Sequence, residues 1–220
     1  MLRIGCFKGW TGFAPIDVLA GEWSVLPVEL LAACLSARVR VLVDAAGTPR
    51  ARCADTVARL GGRAAYVSDG PARARPLAEA LARRVDVVVT GPVEEVAPVA
   101  AGVWSYGWRR TDLVELAGAA AAGLVLAEST HPRLVELYPD GHAVITRAPG
   151  APGPVREASV REVLRGSYTT PEVEVDLDGL RVYQDGPDRV AIEPVAGRLP
   201  VRREERQNVI IDGISIEAAV

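Results

Sequence analysis

The sequence predicts an α/β fold, a Rossmann-like parallel sheet followed by a smaller α+β part, and three observations carry that prediction. Val85, Val87, Val88 and Val89 make a β-branched run with no polar face that empties into Thr90-Gly91-Pro92, as a strand covered on both sides does. Three short apolar runs precede it, separated by helix-like stretches, and strict strand–helix alternation implies right-handed crossovers and parallel pairing. After His131-Pro132 the texture changes to short strands and turns. The expected division is therefore a parallel α/β domain over 1–130 and an α+β domain with short strands and one helix over 131–220.

Taken in order, residues 2–7 read as a first strand, followed by the turn-rich loop Lys8-Gly-Trp-Thr-Gly-Phe-Ala-Pro15. Gly9-Trp10-Thr11-Gly12 could let backbone amides approach an anion, but it is not a dinucleotide fingerprint, and a plain turn is the stronger reading. A short helix over 29–37 leads to a strand over 39–43, which ends in Asp44-Ala-Ala-Gly47. Thr48-Pro49 then reads as an N-cap with proline in the first helical position, opening a helix over 50–60 that Gly61-Gly62 stops. Residues 64–67 form a third strand ending in Ser68-Asp69-Gly70, and a helix over 77–84 delivers the chain to the valine strand.

Beyond that strand, a helix is expected from Glu94 to Gly102, closed by the aromatic loop Trp104-Ser-Tyr-Gly-Trp108. Thr111 reads as the cap of a long small-residue helix, 112–129. The aromatic cluster beside an alanine-rich helix predicts self-association, with burial of the same rings in the core as the alternative. The remainder reads as a hairpin over 134–146, a stiff proline-glycine loop, a short helix over 159–165, and strands near 172–176, 180–183, 189–194 and 208–216.

Composition limits the functional classes. A net charge of -3 argues against a surface built to neutralise phosphates, so no nucleic-acid partner is expected. Three cysteines without regular spacing do not make a disulfide framework, residues 1–8 lack the apolar core of a signal peptide, and the longest apolar run is too short for a bilayer. The reading is a cytoplasmic protein with no membrane partner. His131 and His142 have no metal-ligand spacing around them, and neither a serine-nucleophile motif nor a cofactor signature is present, so no metal and no cofactor are expected.

In an open α/β sheet, ligands collect beyond the carboxyl ends of the strands. Glycines follow the strands at Gly9, Gly47, Gly70 and Gly91, and three strand ends deliver an oxygen: Asp44, Asp69 and Thr90. Two carboxylates converging there could donate and accept a proton, whereas a single one is ordinarily a cap. The candidate catalytic pair is Asp44 and Glu95. The candidate binding residues are Gly9, Trp10, Thr11, Gly12, Gly47, Thr48, Arg50, Asp69, Thr90, Gly91 and Glu94.

The order of these motifs resembles the acyclic terpene utilisation (AtuA-like) family. Val87-Val-Val-Thr-Gly-Pro-Val-Glu-Glu95 is similar to that family's strand ending in T-G-R-V-x-D, and Tyr106-Gly-Trp108 followed by Leu116-Ala-Gly-Ala-Ala-Ala-Ala-Gly123 to its G-W and small-residue helix. Asp44-Ala-Ala-Gly-Thr-Pro-Arg50 is similar to N-A-G-G-x-N-P-R, Tyr138-Pro-Asp-Gly-His-Ala-Val-Ile-Thr146 to D-G-x-x-V-I-T-K-P, and Gly186-Pro-Asp-Arg-Val190 to G-P-D-R-V. Three departures stand out: Pro92 replaces the family's arginine, Glu95 its aspartate, and Gly123-Leu-Val-Leu-Ala-Glu128 its G-H-x-x-E-C run. The resemblance implies a role with branched or isoprenoid acyl compounds as thioesters. Two functions follow from it: a hydratase, lyase or isomerase using Asp44 and Glu95, or a non-catalytic binding or scaffolding subunit that assembles with itself or with a related chain.

Overall fold

The valine strand lies near the middle of a sheet much wider than its immediate neighbours. The structure is a computed structural model that describes residues 1–7, 15–67, 72–200, 208–211 and 214–217. Its elements are β1 (Leu2–Cys6), β2 (Val18–Glu22), α1 (Val28–Ser36), β3 (Arg40–Asp44), α2 (Arg50–Arg59), β4 (Ala64–Val67), α3 (Ala74–Ala82), β5 (Val87–Thr90), α4 (Ala97–Tyr106) and α5 (Leu113–Glu128). There follow β6 (Arg133–Leu137), β7 (Ala143–Arg147), α6 (Glu157–Val163), β8 (Ser167–Thr169), β9 (Glu174–Asp176), β10 (Arg181–Gly186), β11 (Arg189–Glu193), β12 (Asn208–Ile211) and β13 (Ile214–Glu217).

Among the described residues, eleven strands form one mixed sheet in the order β10-β11-β7-β6-β1-β2-β3-β5-β4-β12-β13, with β8 and β9 as a separate pair. The five strands from β1 to β4 in this order are mutually parallel, and the strands flanking them on either side pair antiparallel. The expected α/β class is present, but the strand order departs from that of a dinucleotide-binding sheet. Residue 130 does not mark a break in the sheet: β6 pairs directly with β1, so the two halves expected from sequence share a ladder and a core cluster.

Alternation along each strand divides the core. Val41, Val43, Val87 and Val89 pack with Cys53 and Val57 of α2 and with Leu31 and Cys34 of α1. Leu42 and Val88 face the other way, among residues of α3, α4 and α5. Val87, Val88 and Val89 are each fully buried, which explains why the run reads as apolar throughout; burying each contributes roughly 1.5 kcal/mol or more.

Several expectations need correction. Strand β2 lies where the sequence pattern assigns no element, between the glycine loop and the first helix. It contains Gly21, where a Cβ would come within 2.7 Å of the Phe7 ring, so the glycine that weakens the strand signal is there to admit that ring. The aromatic residues Trp104 and Tyr106 lie within α4 rather than in a loop after it. Trp108 is 5% exposed, donates Nε1–H to Pro139 O at 3.0 Å and packs over Gly102, while the Tyr106 hydroxyl donates to Leu137 O at 2.8 Å. Tyr106 and Trp108 therefore join α4 to the strands beyond it. Neither Thr48 nor Thr111 is a helix cap: the cap positions are Pro49 and Asp112, and no side-chain capping bond forms at either. The strand expected over 208–216 is the β12–β13 hairpin.

Candidate active or binding site at the β3–β5 edge

Parallel register brings the ends of β3 and β5 together, with Asp44 opposite Thr90. The chain leaves these neighbours in opposite directions. From β3 it passes through α2, on one face, to β4; from β5 it passes through α4 and α5, on the other face, to β6. Adjacent parallel strands whose connections diverge in this way leave a crevice beyond their carboxyl ends, where open α/β sheets bind ligands.

A cavity of about 620 Å³ occupies that crevice. It is lined by the continuous segment from Asp44 to Ala51, together with Tyr66, Thr90, Gly91 and Ile210. Ala45 N–H bonds to Thr90 O at 2.9 Å, and Ala46 N–H bonds to Asp44 Oδ1 at 3.0 Å, so the loop is fixed to both strand ends. Ala46 and Gly47 have positive φ (47° and 81°), which turns the chain into α2. A glycine is needed at position 47 for conformation rather than space, because a Cβ there would meet nothing within 4 Å.

The chemical resources of this cavity are a carboxylate, a hydroxyl, a guanidinium and a helix N-terminus. Thr90 is 1% exposed, and its hydroxyl makes no hydrogen bond to another described residue. The Arg50 guanidinium lines the cavity and donates Nη1–H to Val67 O at the end of β4. Helix α2 starts without a side-chain cap, so its first-turn amides and its dipole favour a negative group. No group of three His, Cys, Asp or Glu side chains suited to a metal gathers among the described residues.

Of the residues expected from sequence, Asp44, Gly47, Thr48, Arg50, Thr90 and Gly91 meet in this cavity, whereas Glu94 and Glu95 do not line it. The Glu95 side chain is exposed and accepts a hydrogen bond from the Tyr168 hydroxyl at 2.7 Å, across the other face of the sheet. Burial, and secondarily that bond to Glu95, pushes the Tyr168 phenol above its ordinary value, so Tyr168 remains the donor. Gly9, Trp10, Thr11, Gly12 and Asp69 lie outside the described residues.

Sequence reasoning missed Glu22, Tyr66 and Ile210. Glu22 ends β2 opposite Asp44, which places a second carboxylate at the next strand end, where it accepts a bond from the Ser24 hydroxyl. Recognising β2 would have found it. Ile210 comes from far along the chain through the pairing of β12 with β4, which no local signal announces.

Two further features lie outside the cavity. Glu172 is 7% exposed, and its Oε1 accepts Ala74 N–H at 2.8 Å at the start of α3. Burial pushes its carboxyl above the ordinary value, opposed by that amide bond. Cys6, Cys34 and Cys53 are buried thiols that form no disulfide.

Residues 72–131 and 127–219 match the family model described as acyclic terpene utilisation family protein AtuA. Comparison with curated proteins and with solved structures gives no match. No described helix is long and apolar enough to cross a membrane.

Proposed function

The chain belongs to the acyclic terpene utilisation (AtuA) family, and we propose that within it the β3–β5 cleft binds an acyl thioester of a branched or isoprenoid compound without a two-carboxylate mechanism through Asp44 and Glu95. The observation that carries this reading is the composition of the cleft: Asp44, Thr90, Arg50 and an uncapped helix start share a cavity, while Glu95 is bonded to Tyr168 elsewhere. The volume lies in the range of small-molecule sites. The α2 N-terminus and Arg50 suit the anionic part of such a ligand, and the Thr90 hydroxyl suits a carbonyl oxygen. Kinship with Rossmann-like sheets belongs to the same proposal and is supported by helices on both faces of β3, β5 and β4. So does assembly with a second or related chain, which the open edges of the sheet at β10 and β13 would permit.

One observation favours a second reading, a hydratase, lyase or isomerase. Glu22 and Asp44 stand side by side at adjacent strand ends, the arrangement in which one carboxyl donates a proton and the other accepts one.

Calorimetric titration with a branched acyl-coenzyme A, followed by a turnover assay on the same sample, separates the two. Binding is expected to weaken by about tenfold to hundredfold in Arg50→Gln, the usual worth of a hydrogen-bonded charge. Turnover that falls on the order of a hundredfold or more in Asp44→Asn and Glu22→Gln, with binding retained, would establish the enzymatic reading instead. Equal affinity in Arg50→Gln and Thr90→Val would place the ligand elsewhere and defeat both.

A further inference from the structure

A second cavity, of about 590 Å³, lies on the same edge of the sheet as the first but several strands away, between the end of α5, the start of β6, α6 and the loop joining β7 to α6. Its inner wall is apolar: Val125, Ile145, Val155 and Val160 are all nearly or fully buried, and Val163 adds to them. Among these side chains sits Arg133, the first residue of β6.

Among the described residues, the Arg133 guanidinium has no carboxylate at ion-pair distance. In the β6–β7 ladder Arg133 is opposite Arg147, so two guanidinium groups stand on the same side of the sheet, and like charges directly opposite are unfavourable. Only one of them has a carboxylate. Arg147 pairs with Asp188 Oδ2 at 3.1 Å, and the other oxygen of Asp188 accepts Val155 N–H at 3.3 Å. The Arg133 side chain makes no hydrogen bond or ion pair with any described residue, and its Nη1 is buried without a partner. Burial holds its guanidinium below the ordinary value; Asp188 opposes that shift and Arg147 adds to it. Glu128 and Glu162 line the same cavity, but they are exposed at its rim and neither forms an ion pair with Arg133.

A buried arginine nitrogen without a partner is uncommon in folded proteins, because that nitrogen has given up water without gaining an acceptor; the rest of the Arg133 side chain is half-buried at the cavity wall. The guanidinium fork matches a carboxylate in shape as well as charge. An apolar pocket with one oriented charge at its wall selects a ligand of the same pattern, an apolar body carrying one anionic head.

We propose that this cavity binds a free monocarboxylate with a short aliphatic chain, its carboxylate on Arg133 and its chain against Val125, Ile145, Val155 and Val160. The site is separate from the β3–β5 cleft and shares no lining residue with it. Arg156 lies at the rim, where it adds attraction for the same head group.

Calorimetric titration of the full chain with octanoate, isovalerate and octan-1-ol tests the proposal, with thermal unfolding run in parallel. Octanoate is expected to bind and to raise the unfolding midpoint, octan-1-ol to bind at least tenfold more weakly, and isovalerate to lie below octanoate because it covers less of the apolar wall. Arg133→Gln should weaken octanoate about tenfold to hundredfold, the worth of hydrogen bonds to a charged group, and abolish the midpoint shift. Arg133→Lys keeps the charge but not the fork and should fall between the two, which decides the matter if the glutamine variant does not fold. Asp44→Asn should leave octanoate affinity unchanged. Absence of binding at millimolar octanoate, equal affinity for octan-1-ol, or full affinity in the folded Arg133 variants would overturn the proposal.

Discussion

The two faces of the sheet are covered by helices of different kinds. On one side α2 buries only Cys53 and Val57 of its ten residues, touching the sheet through a narrow apolar stripe and presenting charged residues outward. On the other, α5 buries ten of its sixteen residues, seven of them alanine or glycine, and packs against α4 and α6 as well as the sheet. A stripe of branched side chains holds a helix at side-chain distance, whereas a small-residue surface lets backbones approach. The first layer is therefore stabilised by individual large groups and the second by the absence of groups. Each should fail in response to the opposite kind of substitution.

The largest expected effect is on the small-residue layer. A Cβ at Gly123 would stand 1.9 Å from Glu95 O, and one at Gly118 would stand 2.0 Å from Gly141 O, so in both cases the obstacle is backbone that cannot rotate away. Gly123→Ala should lower stability by about 3 kcal/mol, the upper end for overpacking, measured as a shift in the urea midpoint at constant slope. A neutral result would mean that α5 can slide as freely as a surface helix, and the contrast between the layers would disappear.

On the α2 side a loss of volume should do the damage. Val57 is fully buried between α2 and strands β4 and β5, and Val57→Ala removes two methyl groups and leaves a cavity, at a cost of about 2 kcal/mol. The same denaturation experiment checks it. A cost well under half of that would show that α2 settles into the gap, which would sharpen the view of this face as the more compliant one.

The smallest effect concerns the loop that leads into α2. Gly47→Ala places a side chain at φ 81° with open space around it, so only backbone strain opposes the change, at about 1 kcal/mol. A loss as large as that for Gly123→Ala would reveal a contact at this position that the open space argues against.

How legible each region was in the sequence follows from the same contrast. Strand β5 was evident because three consecutive valines buried on both faces have no other economical arrangement. Helix α2 was found nearly to the residue from its proline start and glycine stop. Strand β2 escaped notice because Gly21 interrupts a run of only five residues, for the benefit of a Phe7 ring that lies beyond the reach of any local pattern. With β2 went Glu22. Asp44 and Thr90 were placed at the same edge because parallel alternation requires it, but the pairing of Asp44 with Glu95 assumed that a residue five positions past Thr90 stays at the mouth of the strand. The chain instead turns onto the opposite face, where Glu95 meets Tyr168.

The sequence by itself determined the α/β class, the succession of most elements, the glycine-marked strand ends and the family, since each of these is written in short-range patterns of apolar period, turn residues and motif order. Only the tertiary structure decided that the later strands extend the same sheet through β6 and β1, that Ile210 closes the first cavity, and that Arg147 rather than Arg133 receives Asp188. Those outcomes depend on which distant segments pair and on how a limited set of charges is shared among them. The physical reason is that strand pairing and ion pairing are settled by the whole chain at once, and a residue's own neighbours in sequence carry no record of the competitor that takes its partner.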